Sequence, residues 1–134
     1  MSTLPLRIYY EDTDFSGFVY HARYLHFFER GRTEALRALG IDQRAMFEAE
    51  GGPFAFVVRH MDIRFRAPAR MDDMVIVETQ IREVGAASLV MAQQLLRAGE
   101  VLCTARVEIA HLALGKPKRF QADLREKLDL LAKN

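Results

Sequence analysis

Three carboxylates crowd into four residues at Glu11, Asp12 and Asp14, within the segment Tyr10-Glu11-Asp12-Thr13-Asp14-Phe15-Ser16-Gly17-Phe18-Val19-Tyr20-His21. Such density costs repulsion unless some members are solvated or hydrogen-bonded. Asp, Thr, Ser and Gly are also ordinary turn and capping residues, so the spacing alone fits a plain turn as well as a reactive one. Position strengthens the chemical alternative, because a helical periodicity begins near His21 and makes this a loop feeding a helix N-terminus. Free backbone N–H groups and the helix dipole stabilise negative charge there, including the oxyanion that develops on a carbonyl under attack. A carboxylate beside such donors can attack the carbonyl carbon or activate water.

The elements that must hold this loop follow from the apolar pattern. Leu4 to Tyr10 alternates apolar and polar positions and is expected to be a strand, with Pro5 near its start where a missing donor is tolerated. From about His21 to Leu39, Tyr24, Leu25, Phe28, Ala35, Leu36 and Leu39 recur at helical spacing. Gly31 inside this helix marks either a close approach to a sheet or a tolerated surface glycine. Gly40 is placed to close the helix, and Asp42 to cap a short second helix over residues 43–50. Extended runs rich in β-branched and aromatic residues follow: Phe54 to Arg66, Met74 to Val84, Ser88 to Arg97 and Val101 to Leu114. Short separators predict hairpins among the last three and make a meander the economical topology. Gln121 to Ala132 carries Leu124, Leu128 and Leu131 at helical spacing and is expected to form a C-terminal helix. The order predicts an α+β chain with a five-stranded antiparallel sheet wrapped around one long helix, in one domain over residues 1–134. Such a sheet has open edges, and apolar runs such as Val75-Ile76-Val77 invite pairing, so a homodimer or homotetramer is expected.

Composition excludes several function classes. Half of the 134 residues are apolar, enough to bury a core without staples, and the net charge is +1 from 19 basic and 18 acidic side chains. That balance provides no global field for nucleic acid or an anionic membrane. Cys103 is the only cysteine and forms no intrachain disulfide, which suits a cytoplasmic location, as does the absence of an export-type N-terminus or a membrane-length apolar run. His21, His26, His60 and His111 lie far apart in sequence without acidic partners at ligand spacing, so no metal or other cofactor is expected. Serine-hydrolase elbows, phosphate-binding glycine loops and basic-aromatic nucleic-acid motifs are missing.

Arg7 to Asp14, then Gly17, Val19-Tyr20-His21-Ala22, Tyr24, and Phe28-Glu29-Arg30 with Arg32-Thr33-Glu34, resembles the active-site region of the 4-hydroxybenzoyl-CoA thioesterase family and, within it, the YbgC-like branch of acyl-CoA thioesterases. The segment Phe65-Arg66-Ala67-Pro68-Ala69, the element order and the length agree with it. The resemblance implies a hot-dog fold and hydrolysis of acyl-CoA to free acid and CoA. It implies Asp14 as the catalytic carboxylate, acting as nucleophile or as general base. It places the carbonyl-polarising backbone N–H at His21, whose imidazole either assists or merely hydrogen-bonds the loop. Gly17, Phe18 and Tyr20 are the expected pocket residues. Phe18, Phe15 and Ser16 depart from the smaller residues usual in the family, which bears on the acyl group more than on the chemistry.

The CoA phosphates need local Arg or Lys. Arg64 and Arg66 on one polar face of the first long strand, and Lys116 and Lys118 after the last, are the candidates, each also compatible with a plain solvated face. The family's site lies between subunits, so these residues can serve a neighbour's Asp14. Rival functions are a non-catalytic subunit binding acyl-thioesters or acyl carrier protein, and a hot-dog hydratase or dehydratase acting on the same thioesters.

Overall fold

The computed structural model describes residues 1–133. Strand β1 spans Ser2–Arg7 and leads through a 3-10 turn at Tyr10–Asp12 into the loop that holds Asp14. Helix α1 covers Arg23–Ala38 and helix α2 Gln43–Glu48. Strands β2 (Phe54–Phe65), β3 (Met74–Val84), β4 (Ser88–Arg97) and β5 (Glu100–Ala113) follow, with a two-residue β6 at Lys116–Pro117 and helix α3 at Ala122–Lys133. The long helix lies against one curved antiparallel sheet, the hot-dog arrangement the sequence suggested.

Two expectations about the sheet need correction. The sheet has six strands rather than five, because Lys116 and Pro117 pair with Ala113 and Leu112. The strand order is β1-β3-β4-β5-β2, so only β3, β4 and β5 form the meander. β2 crosses to the far edge and pairs with β5, while β1 occupies the place beside β3. The crossing lies in residues 66–73, where Arg66 and Ala67 donate to the Leu102 carbonyl at 2.8 and 3.1 Å instead of turning back toward β3.

Side-chain alternation along the strands explains the core. The odd positions of β5 from Cys103 to His111 and of β3 from Val75 to Ile81 are buried, and their even neighbours are more exposed. α1 buries Tyr24, Phe27, Phe28, Gly31, Ala35 and Leu36 in return. Gly31 decides how deeply the helix sits. A Cβ on it would lie 2.5 Å from Val77 Cγ1 and 3.0 Å from both Gln93 Nε2 and Thr79 Oγ1. The glycine therefore marks a close approach, not a tolerated surface position.

Beneath it the buried Gln93 amide donates to the Phe28 carbonyl at 2.8 Å and to Thr79 Oγ1 at 2.9 Å, and its oxygen accepts from Arg32 Nη1 at 3.1 Å. These bonds satisfy a polar group that would otherwise be costly to bury. The α1 C-terminus is closed by Ile41 N–H to Leu36 and Gly40 N–H to Arg37, at 3.1 and 2.9 Å. Asp42 caps α2 by accepting from the Ala45 N–H at 3.0 Å, as its position predicts. α3 packs rather than protrudes: Leu128 and Leu131 are buried, and Arg125 donates to the Gly85 and Val84 carbonyls at 2.7 and 3.2 Å.

Candidate active site

The crowded carboxylates separate into different environments. Asp12 is buried, with 4% of its surface exposed. Its Oδ1 accepts from Arg23 Nη2 and Nε at 2.7 and 3.0 Å, and its Oδ2 from the Tyr9 N–H at 2.8 Å. Arg23 is the first residue of α1, so this pair fastens the loop to the helix that follows. The Asp12 carbonyl adds a second tie by accepting from the Tyr20 N–H at 2.9 Å.

Asp14 is exposed at the neck of a small hairpin. Thr13 and Val19 bridge across the neck, the Asp14 N–H donates to the Phe18 carbonyl at 2.9 Å, and the Gly17 N–H returns to the Asp14 carbonyl at 3.1 Å. Gly17 has φ +86°, and a Cβ there would meet nothing within 4 Å, so the glycine serves the turn's backbone rather than close packing. The Asp14 Oδ1 accepts from the Ser16 N–H at 2.8 Å and from the Ser16 hydroxyl. The Ser16 hydroxyl first, and its N–H second, hold the Asp14 carboxyl below the usual carboxylate range, and His21 pulls in the same direction. Asp14 is thus an exposed, ionised carboxylate with its position fixed through one oxygen.

His21 does not begin the helix. α1 starts at Arg23 with Ala22 as its N-cap, because the Tyr20 carbonyl accepts from the Arg23 N–H at 2.8 Å in a turn that precedes the helical ladder. In this turn the N–H groups of His21 and Ala22 have no acceptor among the described residues. The His21 ring packs beside Tyr20, with centroids 4.6 Å apart, and edge-on to Phe65 at 6.4 Å. Tyr20 and Phe18 are partly exposed beside the loop, and the Arg70 guanidinium lies 5.2 Å from the Phe18 ring centroid. Below them Tyr24 is buried with its hydroxyl accepting from the Ala69 N–H at 3.0 Å, and the Val19 N–H donates to the Ala69 carbonyl at 2.9 Å. The segment 65–70 therefore braces the loop from beneath.

Asp14, Gly17, Phe18, Tyr20 and His21 come together as expected. Among the described residues, none of the basic candidates bonds to Asp14 within one chain. Arg64 is exposed on β2 and lies 3.8 Å from Asp62, and Arg66 follows the strand's end with its N–H on the Leu102 carbonyl. Lys116 and Lys118 sit at the Phe54 end of β2, whereas Asp14 is near its Phe65 end. Two residues outside the loop reach it from elsewhere in the chain, Arg70 and Arg23. Arg70 reaches the loop through a bridge with Phe18, a long-range pairing that leaves no local signature. The Asp12 to Arg23 pair was visible only as two oppositely charged residues at the two ends of the motif. Among the described residues, no group of three or more His, Cys, Asp or Glu side chains is arranged to hold a metal ion. Nor is any helix long and apolar enough to cross a membrane.

Residues 9–128 match the thioesterase-like superfamily. The acyl-CoA thioesterase YbgC of Haemophilus influenzae is 47% identical over 116 residues, which cover 87% of this chain and 84% of that protein. The acyl-CoA thioester hydrolase YbgC of Escherichia coli is 46% identical over 98 residues, 73% of this chain and 71% of that one. The crystal structure of a probable thioesterase from Bartonella henselae superposes with a TM-score of 0.85 at 45% identity, over 89% of this chain and 98% of its own. The match runs from just ahead of the Asp14 loop into α3, across the central helix and strands β2 to β6, and the chain belongs to the thioesterase-like superfamily, in its YbgC-like branch.

Proposed function

We propose that the chain hydrolyses acyl-CoA thioesters, with Asp14 as the reacting carboxylate and the backbone N–H groups at the start of α1 as the oxyanion donors. The observation that carries this is the pairing of an exposed, ionised Asp14 with two unsatisfied N–H groups, those of His21 and Ala22, in the turn that opens α1. A thioester carbonyl whose oxygen accepts from those donors is polarised in the direction of attack. Asp14 then either adds to the carbon, giving a mixed anhydride that water cleaves, or removes a proton from attacking water. In both routes the thiolate of CoA leaves and the acyl group departs as the free acid. Ser16 keeps Asp14 ionised and oriented, and His21 lies close enough to add favourable charge.

The single chain leaves this site open, and a second copy is the natural way to close it. β2 is an outer strand about 40 Å long at the usual rise per residue, with its far edge unpaired and Val57, Val58 and Phe65 more than 40% exposed. Two-fold pairing of β2 with its copy runs the strands antiparallel and brings the Phe54 end of one chain beside the Phe65 end of the other. Lys116 and Lys118 then approach the neighbour's Asp14 and can meet CoA phosphates, while Arg70 does so from the same chain.

Release of free thiol from a panel of acyl-CoAs tests the activity. No release from any of them would favour a binding subunit, and a substrate altered without thiol release would indicate a hydratase. Mixing inactive Asp14→Asn and Lys116→Ala/Lys118→Ala subunits tests the sharing. Random dimers should recover roughly a quarter of native activity, since one site in each heterodimer keeps both groups. No recovery would place both groups in one chain.

A further inference from the structure

At the end of α1 opposite Asp14, a recess of about 350 Å³ opens between α2, α3 and the paired ends of β2 and β5. The 16-residue helix puts the two places about 24 Å apart. Ile41, Met46, Phe54 and Leu124 make the recess largely apolar, and His111 lies in its wall.

His111 is unusual among the buried groups. Only 1% of its surface is exposed, and it is packed among Phe54, Phe56 and Phe120 with ring centroids 6.0, 5.6 and 5.0 Å away. Its Nδ1 lies 2.6 Å from the Lys118 carbonyl. A carbonyl only accepts, so Nδ1 carries a proton, and Nε2 of the neutral ring is an acceptor. Nε2 has no hydrogen-bond partner among the described residues, yet no fully enclosed side-chain polar atom there lacks one, so Nε2 opens into the recess. An apolar recess walled by a residue whose open acceptor has no partner in the chain is the pattern of a small-molecule site, in which apolar walls supply affinity and one polar group sets orientation.

We propose that this recess is a second ligand site, separate from the thioester site, for a small neutral molecule with an apolar body and a hydroxyl that donates to His111 Nε2. A phenol or a short-chain alcohol has this chemistry. Carboxylates suit the rim less well, because Glu50 and Asp123 stand there and the Lys127 ammonium is turned to the Gly40 carbonyl at 3.5 Å.

Calorimetry with 4-methylphenol, toluene and benzoate on the full chain tests this, together with the imidazole nitrogen resonances of His111. 4-Methylphenol should bind and shift the Nε2 resonance. Toluene, which lacks the hydroxyl, should bind about tenfold more weakly, as expected for one lost hydrogen bond, and benzoate more weakly than 4-methylphenol. Ala45→Trp, on the exposed face of the loosely packed α2, should fill the recess and abolish binding with the far-ultraviolet circular dichroism unchanged. His111→Phe should reduce 4-methylphenol to the affinity of toluene; if that variant does not fold, Ala45→Trp and the ligand pair decide. Equal affinity for 4-methylphenol and toluene, tighter binding of benzoate, no binding up to the solubility limit, or undiminished binding by Ala45→Trp would each overturn the proposal.

Discussion

Replacing Gly31 by alanine drives a methyl group into the contact that seats α1 on the sheet. The new carbon would stand 2.5 Å from Val77 Cγ1, more than 1 Å inside an ordinary carbon contact of about 3.5–4.0 Å. Overpacking a tight core by a methyl costs about 1–3 kcal/mol. The same carbon lies 3.0 Å from Gln93 Nε2 and Thr79 Oγ1, and the helix cannot rise without stretching the bonds that tie it to the sheet, from Gln93 to the Phe28 carbonyl and from Arg32 to the Gln93 oxygen, each worth about 1 kcal/mol. Alanine returns about 1 kcal/mol through its higher helix propensity. The net expectation is a loss of about 2 kcal/mol, read as a lower urea midpoint with an unchanged slope at fixed protein concentration. Adding Val77→Ala removes the nearest atom, so the double variant should be more stable than the sum of the singles by about 1 kcal/mol. Because α1 carries Arg23 and follows directly on the turn that holds the free His21 and Ala22 N–H groups, kcat should fall along with stability. A Gly31→Ala protein as stable as the native one, or more so, would show that α1 is not seated by this contact.

Other expectations follow from the site and the core. Ser16→Ala removes the hydroxyl that contributes most to keeping Asp14 ionised, so the acid limb of kcat/KM should move to higher pH; a limb that stays in place or moves down would separate Asp14 from the rate. Arg23→Met strands the buried Asp12 carboxylate. It should cost about 2–3 kcal/mol, less than the roughly 3–5 kcal/mol of a fully buried pair because Arg23 is a quarter exposed, and a loss below about 0.5 kcal/mol by urea denaturation would contradict the anchoring role. Burial pushes the Cys103 thiol up to about 12, so a thiol reagent at pH 8 should label the folded protein far more slowly than the unfolded one; equal rates would mean that β5 opens readily.

The legible part of the fold was the part written in local periodicity. The helical spacing of Tyr24, Phe28, Ala35 and Leu36, and the strand runs beginning at Phe54, Met74 and Ser88, match the elements to within a residue or two. Strand order was not legible, because whether β2 turns back to β3 or crosses to β5 depends on bonds such as Arg66 N–H to Leu102, between residues far apart in sequence. The same holds at the site. The motif grouped Asp14 with Gly17, Tyr20 and His21, all of which lie in one loop. It does not show that Asp12 is buried and paired with Arg23 while Asp14 is exposed and held by Ser16, since spacing does not fix those partners. Arg70 comes to Phe18 across the fold, and β6 is a two-residue pairing too short to leave a pattern. Apolar periodicity does not distinguish a helix's first turn from the tight turn ahead of it, so it points to His21 where α1 begins at Arg23.

The central claim is that Asp14 carries the reaction, and the most direct measurement is thiol release from acyl-CoA by Asp14→Asn beside the native protein. Asparagine preserves shape but neither attacks the carbonyl carbon nor accepts the proton of water. The account predicts a native circular dichroism spectrum with kcat lowered by roughly 10²–10⁴, the range for loss of a general base, or further if Asp14 is the nucleophile. A folded Asp14→Asn protein that releases thiol at the native rate would contradict it.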